Sequence, residues 1–326
     1  MTRCAFLLIG MLAVATNAAA QSTPEEAEWP KKVIRLIVSA APGSAGDTVC
    51  RIVAQKLGER LGQQLIIDNR AAAAGTIAAE GLARSAPDGY TIGMVTTSTH
   101  VIASVLNSKL SYDPVKEFAP VSMIGNSPYV LAIYPGLPVK SVAELVALAK
   151  SKPRQLNNAA FGTTSLGYLA SVLFASAAGI EINHVPYRSS AQAVLDAVAG
   201  RIDMQFSTLP PAIPLIREGK LRALGTTGAK RVASLPDVPT LAEAGMTGYD
   251  VSLWIGIAAP AGTPRSIVAR LNLEMSAILA LPEIKNALLQ QGMTAEPGSP
   301  EDLGRRISGD ISKWQEVVAK AGIRAD

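Results

Sequence analysis

Apolar and polar positions along the 326-residue chain switch repeatedly between two periods. A dense apolar run, Val33, Ile34, Leu36, Ile37 and Val38, predicts a buried strand, and Val49, Ile52, Val53, Leu57 and Leu61 then recur at the spacing of one helix face. Residues 39–47, SAAPGSAGD, lie between them and form a loop at the carboxyl end of a strand. Small residues there let the backbone approach a ligand, and the first N–H groups of the next helix have no partners inside it. Both features favour an anion, through hydrogen bonds and the positive end of the helix dipole. On these residues alone, a plain strand-to-helix turn is an equal alternative.

The alternation continues with strands over 64–68 and 91–97 and an Ala-rich helix over 76–85. Residues 98–127, interrupted by Asp113-Pro114, are expected to form a helix and a loop covering the sheet. A strand is predicted over 129–134, and Ser141 with Glu144 opens a helix as a capping box. A second series follows: strand 157–161, helix 166–178, strand 183–187, helix 191–199, strand 201–206 and strand 221–227. Ser189 with Gln192 is a further capping box. After a strand over 251–258 the chain turns helical, and Thr263-Pro264 and Ser299-Pro300 each place a capping residue before a first-turn proline. Strands separated by helices imply parallel pairing and an α/β fold, and two such series imply two lobes, with the C-terminal helices packing back on the first.

Composition narrows the function classes. With 48% hydrophobic and 17% charged residues the chain folds around a sizeable core. The net charge of +4 is spread over scattered Lys and Arg, and aromatics are only 5%, so no nucleic-acid surface is visible. Arg3, the apolar residues 5–15 and Ala18-Ala19-Ala20 read as a secretory signal peptide over residues 1–20. Cys4 precedes the apolar stretch rather than following it, which indicates a soluble exported protein and not a lipoprotein. Cys50 is then the single cysteine and reads as a core residue. No other segment is apolar enough to span a bilayer.

Catalytic signatures are sparse. His100 and His184 are the only histidines, and no GxSxG elbow, Walker loop, GxGxxG or metal-ligand spacing occurs. An exported serine hydrolase, with Ser165 or Ser44 paired to His184, is the alternative from a different function class. Ser165 also stands where a helix needs an N-cap, Asp47 either meets a ligand or complements its own helix dipole, and Trp254 reads as core or hinge packing.

Several short motifs occur in a characteristic order: Trp29-Pro30, Pro42-Gly43 with Asp47, Asp68-Asn69-Arg70, Pro87-Asp88-Gly89-Tyr90-Thr91, Tyr112-Asp113-Pro114, His184-Val185-Pro186-Tyr187-Arg188, Leu235-Pro236-Asp237-Val238-Pro239-Thr240 and Ala259-Pro260-Ala261-Gly262-Thr263-Pro264. Over nearly all of the mature chain the sequence resembles the substrate-binding receptors of tripartite tricarboxylate transporters, the Bug receptors. The resemblance implies a two-lobed periplasmic binding protein fold of type II with a ligand cleft between lobes. Lobe 1 would comprise residues 21–127 and 249–326, and lobe 2 residues 128–248. It further implies a periplasmic monomer without cofactor, not membrane-embedded, that captures a small carboxylate, an amino acid or an aromatic acid for membrane permease subunits, with a sensor kinase as a further partner.

By the same resemblance, one end of the ligand meets the first loop, Ala41, Pro42, Gly43, Ser44 and Asp47, often through water. The other end meets Gly162, Thr163, Thr164 and Ser165, with Ser189 and Ser207 facing the same cleft. The chain departs from the family pattern at Ser44, at Ala71 to Ala74 where glycines are usual, at Tyr168 in place of a histidine, and at Ser189 and Ser207. These changes add hydroxyls and remove a charge, which points to a shifted ligand identity.

Overall fold

The computed structural model describes residues 29–160, 165–187, 190–321 and 323. Strand β1 (Ile34–Val38) is buried at four of its five positions and pairs in parallel with β2 (Leu65–Asn69) and β3 (Thr91–Thr96). Helix α1 (Ala45–Leu61) connects β1 to β2 and ends on Gly62, whose φ of 67° closes the helix in the left-handed region. Its stripe Val49, Val53, Leu57 and Leu61 is buried, each side chain contributing about 1.5–3 kcal/mol by leaving water. Helix α2 (Thr76–Ala83) covers the opposite sheet face with Ala78, Ala79 and Leu82.

The poorly patterned stretch after β3 contains an unexpected element. A π-helical turn (Thr97–Ile102) runs into the short helix α3 (Ala103–Leu106). Strand β4 then extends over Phe118–Ile133, well upstream of the predicted start at Tyr129. Pro120, Gly125 and Pro128 read locally as breakers, but the register shifts at Pro120/Ser122 and Met123/Gly125 absorb the first two as bulges, and Pro128 stays in register opposite Ser252 where β4 changes sheet. Glycine is required at 125 because a Cβ would meet the backbone oxygen of Thr294 at 2.2 Å.

Strand β4 belongs to both sheets. From Phe118 to Pro128 it lies antiparallel to β9 (Ser252–Pro260), which in turn pairs with β3, so the first sheet runs β2-β1-β3-β9-β4. From Tyr129 to Ile133 the same strand pairs with β7 (Met204–Thr208) and β8 (Arg222–Thr226). The second sheet continues from β7 through β5 (Asn157–Ala160) to β6 (Asn183–Pro186), all parallel.

Helices α4 (Val142–Ser151), α5 (Leu166–Ala178) and α6 (Ser190–Val198) follow the predicted pattern. Helix α7 (Leu209–Arg217) was not legible, because Pro210, Pro211 and Pro214 punctuate it; two of those prolines occupy first-turn positions where no N–H is needed. After β9 come α8 (Arg265–Ala280), α9 (Pro282–Gln290), β10 (Thr294–Ala295) and α10 (Pro300–Ala321). Ser299 caps α10 as expected, its Oγ accepting from Asp302 N at 3.1 Å. Thr263 does not cap α8: its hydroxyl donates to Pro260 O at 2.8 Å, and Pro264 precedes the helix instead of starting it.

Helices α1, α8 and α9 form one core with the first sheet. Helix α10 covers the other face of that sheet and continues onto α5, so Trp254, Trp314, Val318 and Phe174 share a single apolar cluster across both sheets. Trp254 is fully buried, and its Nε1 donates to Asp310 Oδ2 at 2.8 Å. Cys50 is likewise a buried core residue, its thiol pushed up to about 12 by burial. Among the described residues no helix is long and apolar enough to cross a membrane.

Candidate functional site

The loop after β1 is shaped by local chemistry. Pro42 presets the turn and Gly43, at φ 78°, completes it, with Ser44 N donating to Ala41 O at 3.1 Å. Ser44 is the N-cap of α1: its Oγ accepts from Asp47 N at 3.4 Å and its carbonyl accepts from Thr48 N at 2.9 Å.

Asp47 proves to be the knot of this loop. Its side chain is almost fully buried, with Oδ2 accepting from Gly43 N and Arg51 Nε, both at 2.8 Å, and Oδ1 accepting from Asn69 Nδ2 at 2.8 Å. Asn69 also donates to Ala40 O at 2.9 Å, fastening the loop to the end of β2. Burial pushes the Asp47 carboxyl up, but the hydrogen bonds from Arg51, Asn69 and Gly43 outweigh it and hold the group at about 2. Both oxygens are engaged within the protein, so Asp47 positions the loop. Asn69, within the motif Asp68-Asn69-Arg70, has the same positioning role, which no local pattern could reveal.

The loop opens onto a cleft of about 470 Å³, inside the roughly 300–1,000 Å³ typical of small-molecule sites. Ser39, Ala40 and Ala41 line it together with Ala45 and Gly46 in the first turn of α1. The N–H groups of Ala45 and Gly46 have no partner among the described residues and stand at the positive end of α1. Gly46 is tightly seated, since a Cβ there would come within 3.2 Å of Ala40 Cβ and Met94 Cε.

The far walls come from elements distant in sequence. Thr96 enters from the end of β3, Ser98 and Thr99 from the π-helical turn, Ser127 and Leu253 from the paired strands β4 and β9 where β4 changes sheet, and Thr208 and Pro210 from the β7–α7 junction. Thr96 and Thr99 cap each other, with Thr96 Oγ1 accepting from Thr99 N at 3.1 Å and the two hydroxyls 3.0 Å apart. Thr99 Oγ1 also lies 2.9 Å from Nδ1 of the buried His100. Thr97 ties this turn to the crossing strand, accepting from Trp254 N at 3.0 Å. Gln291 and Met293 close one side, where Gly292 at φ 71° abuts Pro210.

Of the residues expected at the site, Ala41 lines the cleft, while Pro42, Gly43, Ser44 and Asp47 build the loop behind it. Ser165 is the N-cap of α5, its Oγ accepting from Tyr168 N at 3.2 Å. Ser207 is buried with its hydroxyl donating to Thr208 O at 3.2 Å, and the neighbouring Thr208 is the residue that reaches the cleft. Gly162, Thr163, Thr164 and Ser189 lie outside the described residues. Tyr168 packs edge-on against His184, ring centroids 4.9 Å apart, in a separate surface depression. His184 Nδ1 lies 3.3 Å from Asn158 Nδ2 and 3.4 Å from Ser171 Oγ, and burial lowers its pKa. Neither Ser44 nor Ser165 is bonded to a histidine among the described residues, so the nucleophile–base geometry of a hydrolase is not formed.

Comparison with known proteins agrees with this architecture. A Pseudomonas protein encoded in the tcbD-tcbE intergenic region is 34% identical over 98% of this chain and 95% of its own length. A Rhodopseudomonas palustris protein solved with adipate superposes with a TM-score of 0.75 at 36% identity, covering 91% of this chain and 99% of that one. MatC of the same organism, solved with bound malate, gives 0.71 at 33% identity, covering 89% and 100%. The model of the tripartite tricarboxylate transporter family receptor matches residues 49–323, and the chain therefore belongs to that family of solute-binding receptors, which are not enzymes.

Proposed function

We propose that this receptor captures a small carboxylate in the cleft between its two sheets, with the carboxylate at the N-terminus of α1 against the N–H groups of Ala45 and Gly46. The observation that carries the reading is that pair of amides, unpartnered among the described residues, opening onto a cleft whose described lining carries no charge. The relatives solved with adipate and malate support a carboxylate as the ligand class. Ser39, Ala41 and Ser98 complete the near end, and Thr208 with the loop of residues 162–165 and Ser189 supplies the far end. The lobes divide at residues 127/128 and 248/249, a reading supported by the change of sheet in β4 between Pro128 and Tyr129. The leader over residues 1–20 directs the chain to the periplasm, where the ligand-bound monomer is presented to the permease subunits of its transporter. A sensor kinase reading the same ligand-bound form is a further partner.

Replacing Ala45 by Pro tests the site cleanly. Ala45 is the first helical residue and Ser44 before it sits at φ −73°, ψ 163°, so proline fits there without strain and removes a single N–H. A lost charge-assisted hydrogen bond is worth about 1.5–3 kcal/mol. Ala45→Pro is therefore expected to keep its melting temperature and to lose about ten- to hundredfold in affinity for a bound dicarboxylate by calorimetry. Unchanged affinity in this variant refutes the anion site.

A further inference from the structure

Strand β4 turns its side chains alternately to two sides where it crosses between the sheets. Asn126 and Pro128 face a separate depression with Asp250, Glu296 and Arg306, whereas Ser127 between them lines the cleft. Ser127 is only 9% exposed, and its hydroxyl has no partner among the described residues. Unlike the amide of Gln205 it is not sealed in the core, so the surface it keeps opens on the cleft. The other cleft hydroxyls differ from it. Those of Thr96 and Thr99 are committed to each other, to Thr99 N and to the His100 ring, and Ser98 and Thr208 are exposed. Buried polar groups are as a rule hydrogen-bonded, so an unpaired hydroxyl held nine-tenths buried at a binding surface calls for a partner on the ligand.

Gln291 brings a second polar group to the same cleft from a distant part of the chain. It is the C-cap of α9, its backbone N–H donating to Leu288 O at 2.9 Å. Its half-buried side-chain amide has no partner among the described residues. The pairing of Thr294 with Asn126, the neighbour of Ser127, holds this segment against β4, and the contact of Gly292 with Pro210 fixes it on the other side. Ser127 also stands close to the proposed carboxylate site. It lies opposite Leu253, two residues along β9 from Ile255, and Ile255 Cδ1 would come 4.0 Å from a Cβ on Gly46. Two residues along one strand and one strand across amount to about 8 Å, within the span of a small acid anchored at α1.

We propose that Ser127 and Gln291 form a second polar station in the cleft, which reads a hydroxyl on the body of the ligand and selects a hydroxy acid over its unsubstituted parent. The proposal rests on the carboxylate reading above and deepens it. A serine hydroxyl and a primary amide each donate and accept, as a ligand hydroxyl does, and no charge stands on the described lining to favour an ionic group there. A parent acid filling the cleft shuts Ser127 away from solvent and leaves its hydroxyl unpaired, a penalty of about 5- to 150-fold in affinity.

Calorimetry on the mature chain with matched acids tests this: malate against succinate, 3-hydroxyglutarate against glutarate, and 3-hydroxyadipate against adipate. At least one hydroxy acid is expected to bind about fivefold or more tighter than its parent. Ser127→Ala is expected to bring that ratio below about twofold by weakening the hydroxy acid while the parent binds as before or tighter, and Gln291→Leu is expected to lower it in the same way. Melting temperatures report the fold of each variant, and a merely structural role of either residue would weaken both acids of a pair alike. Parents that bind as tightly as every hydroxy acid, or an unchanged ratio in either folded variant, overturn the polar station and leave the carboxylate site standing. No binding by any acid in the series overturns both.

Discussion

Asp47→Asn separates the positioning of the first loop from contact with the ligand. The carboxylate is held at about 2 against an ordinary 3.8, a difference equivalent to about 2.5 kcal/mol at full strength. The Arg51 side chain is half exposed, at 51%, so solvent screening reduces the usable part to about 1–2 kcal/mol. Asparagine also places an N–H₂ donor against Asn69 Nδ2 on one side, or against Gly43 N and Arg51 on the other, leaving a buried donor unpaired at a further cost of about 1–3 kcal/mol. Asp47→Asn is thus expected to lose about 2–4 kcal/mol at pH 7, or about 3–6 °C in melting temperature for a protein of this size. The sign of the pH dependence follows from the lowered pKa. Stability from Asp47 is fully present above about pH 4 and is lost as the pH falls towards 2, so the wild-type curve carries an acid limb that Asp47→Asn lacks. Urea unfolding at pH 7 and at steps from pH 4.5 to 2.5 measures both quantities. A loss below about 1 kcal/mol at pH 7, or identical acid limbs, refutes the assignment of Asp47 as the loop's organising residue.

Two further predictions concern distant parts of the fold. His100 is fully buried against Phe118 and Tyr112, and burial lowers its pKa to about 3, so below about pH 6.5 the unfolded chain takes up a proton that the folded one does not. Stability is expected to fall with pH between 6.5 and 3 by up to about 1.4 kcal/mol per unit, and His100→Phe, followed by urea titration, is expected to flatten that slope. At Gly292 a Cβ would lie 2.7 Å from the Pro210 ring and would have to adopt φ 71°, so Gly292→Ala is expected to separate the C-terminal segment from α7. Calorimetry should show a weakened affinity for the bound acid although no lining side chain is removed, and wild-type affinity would refute this close approach as part of the cleft.

Local signals in the sequence suffice for most elements and for the nature of the first loop. The apolar run before Ser39, the helix stripe from Val49 to Leu61 and the Pro42-Gly43 turn each follow from nearest-neighbour chemistry, as do the caps at Ser141, Ser165 and Ser299. Strand β4 and helix α7 escaped because prolines that break isolated segments are tolerated at bulges and in first turns. The site itself depended on tertiary structure. A carboxylate after this loop suits a ligand or the loop itself, and only the arrival of Asn69, 22 residues away, commits the second oxygen of Asp47 to the protein. Thr208 replaces Ser207 at the cleft because successive strand residues face opposite sides, so a displacement of one position exchanges wall for core. Met94, Leu253 and Met293 form one apolar wall though they lie far apart in the chain, since β3 and β9 are neighbours in the sheet and β10, next to Met293, pairs with β4. The sequence alone determined that a small-residue loop and the N-terminus of a helix follow the first strand; the long-range strand pairing determined which residues stand around them, because side-chain convergence is a property of sheet register and not of any local pattern.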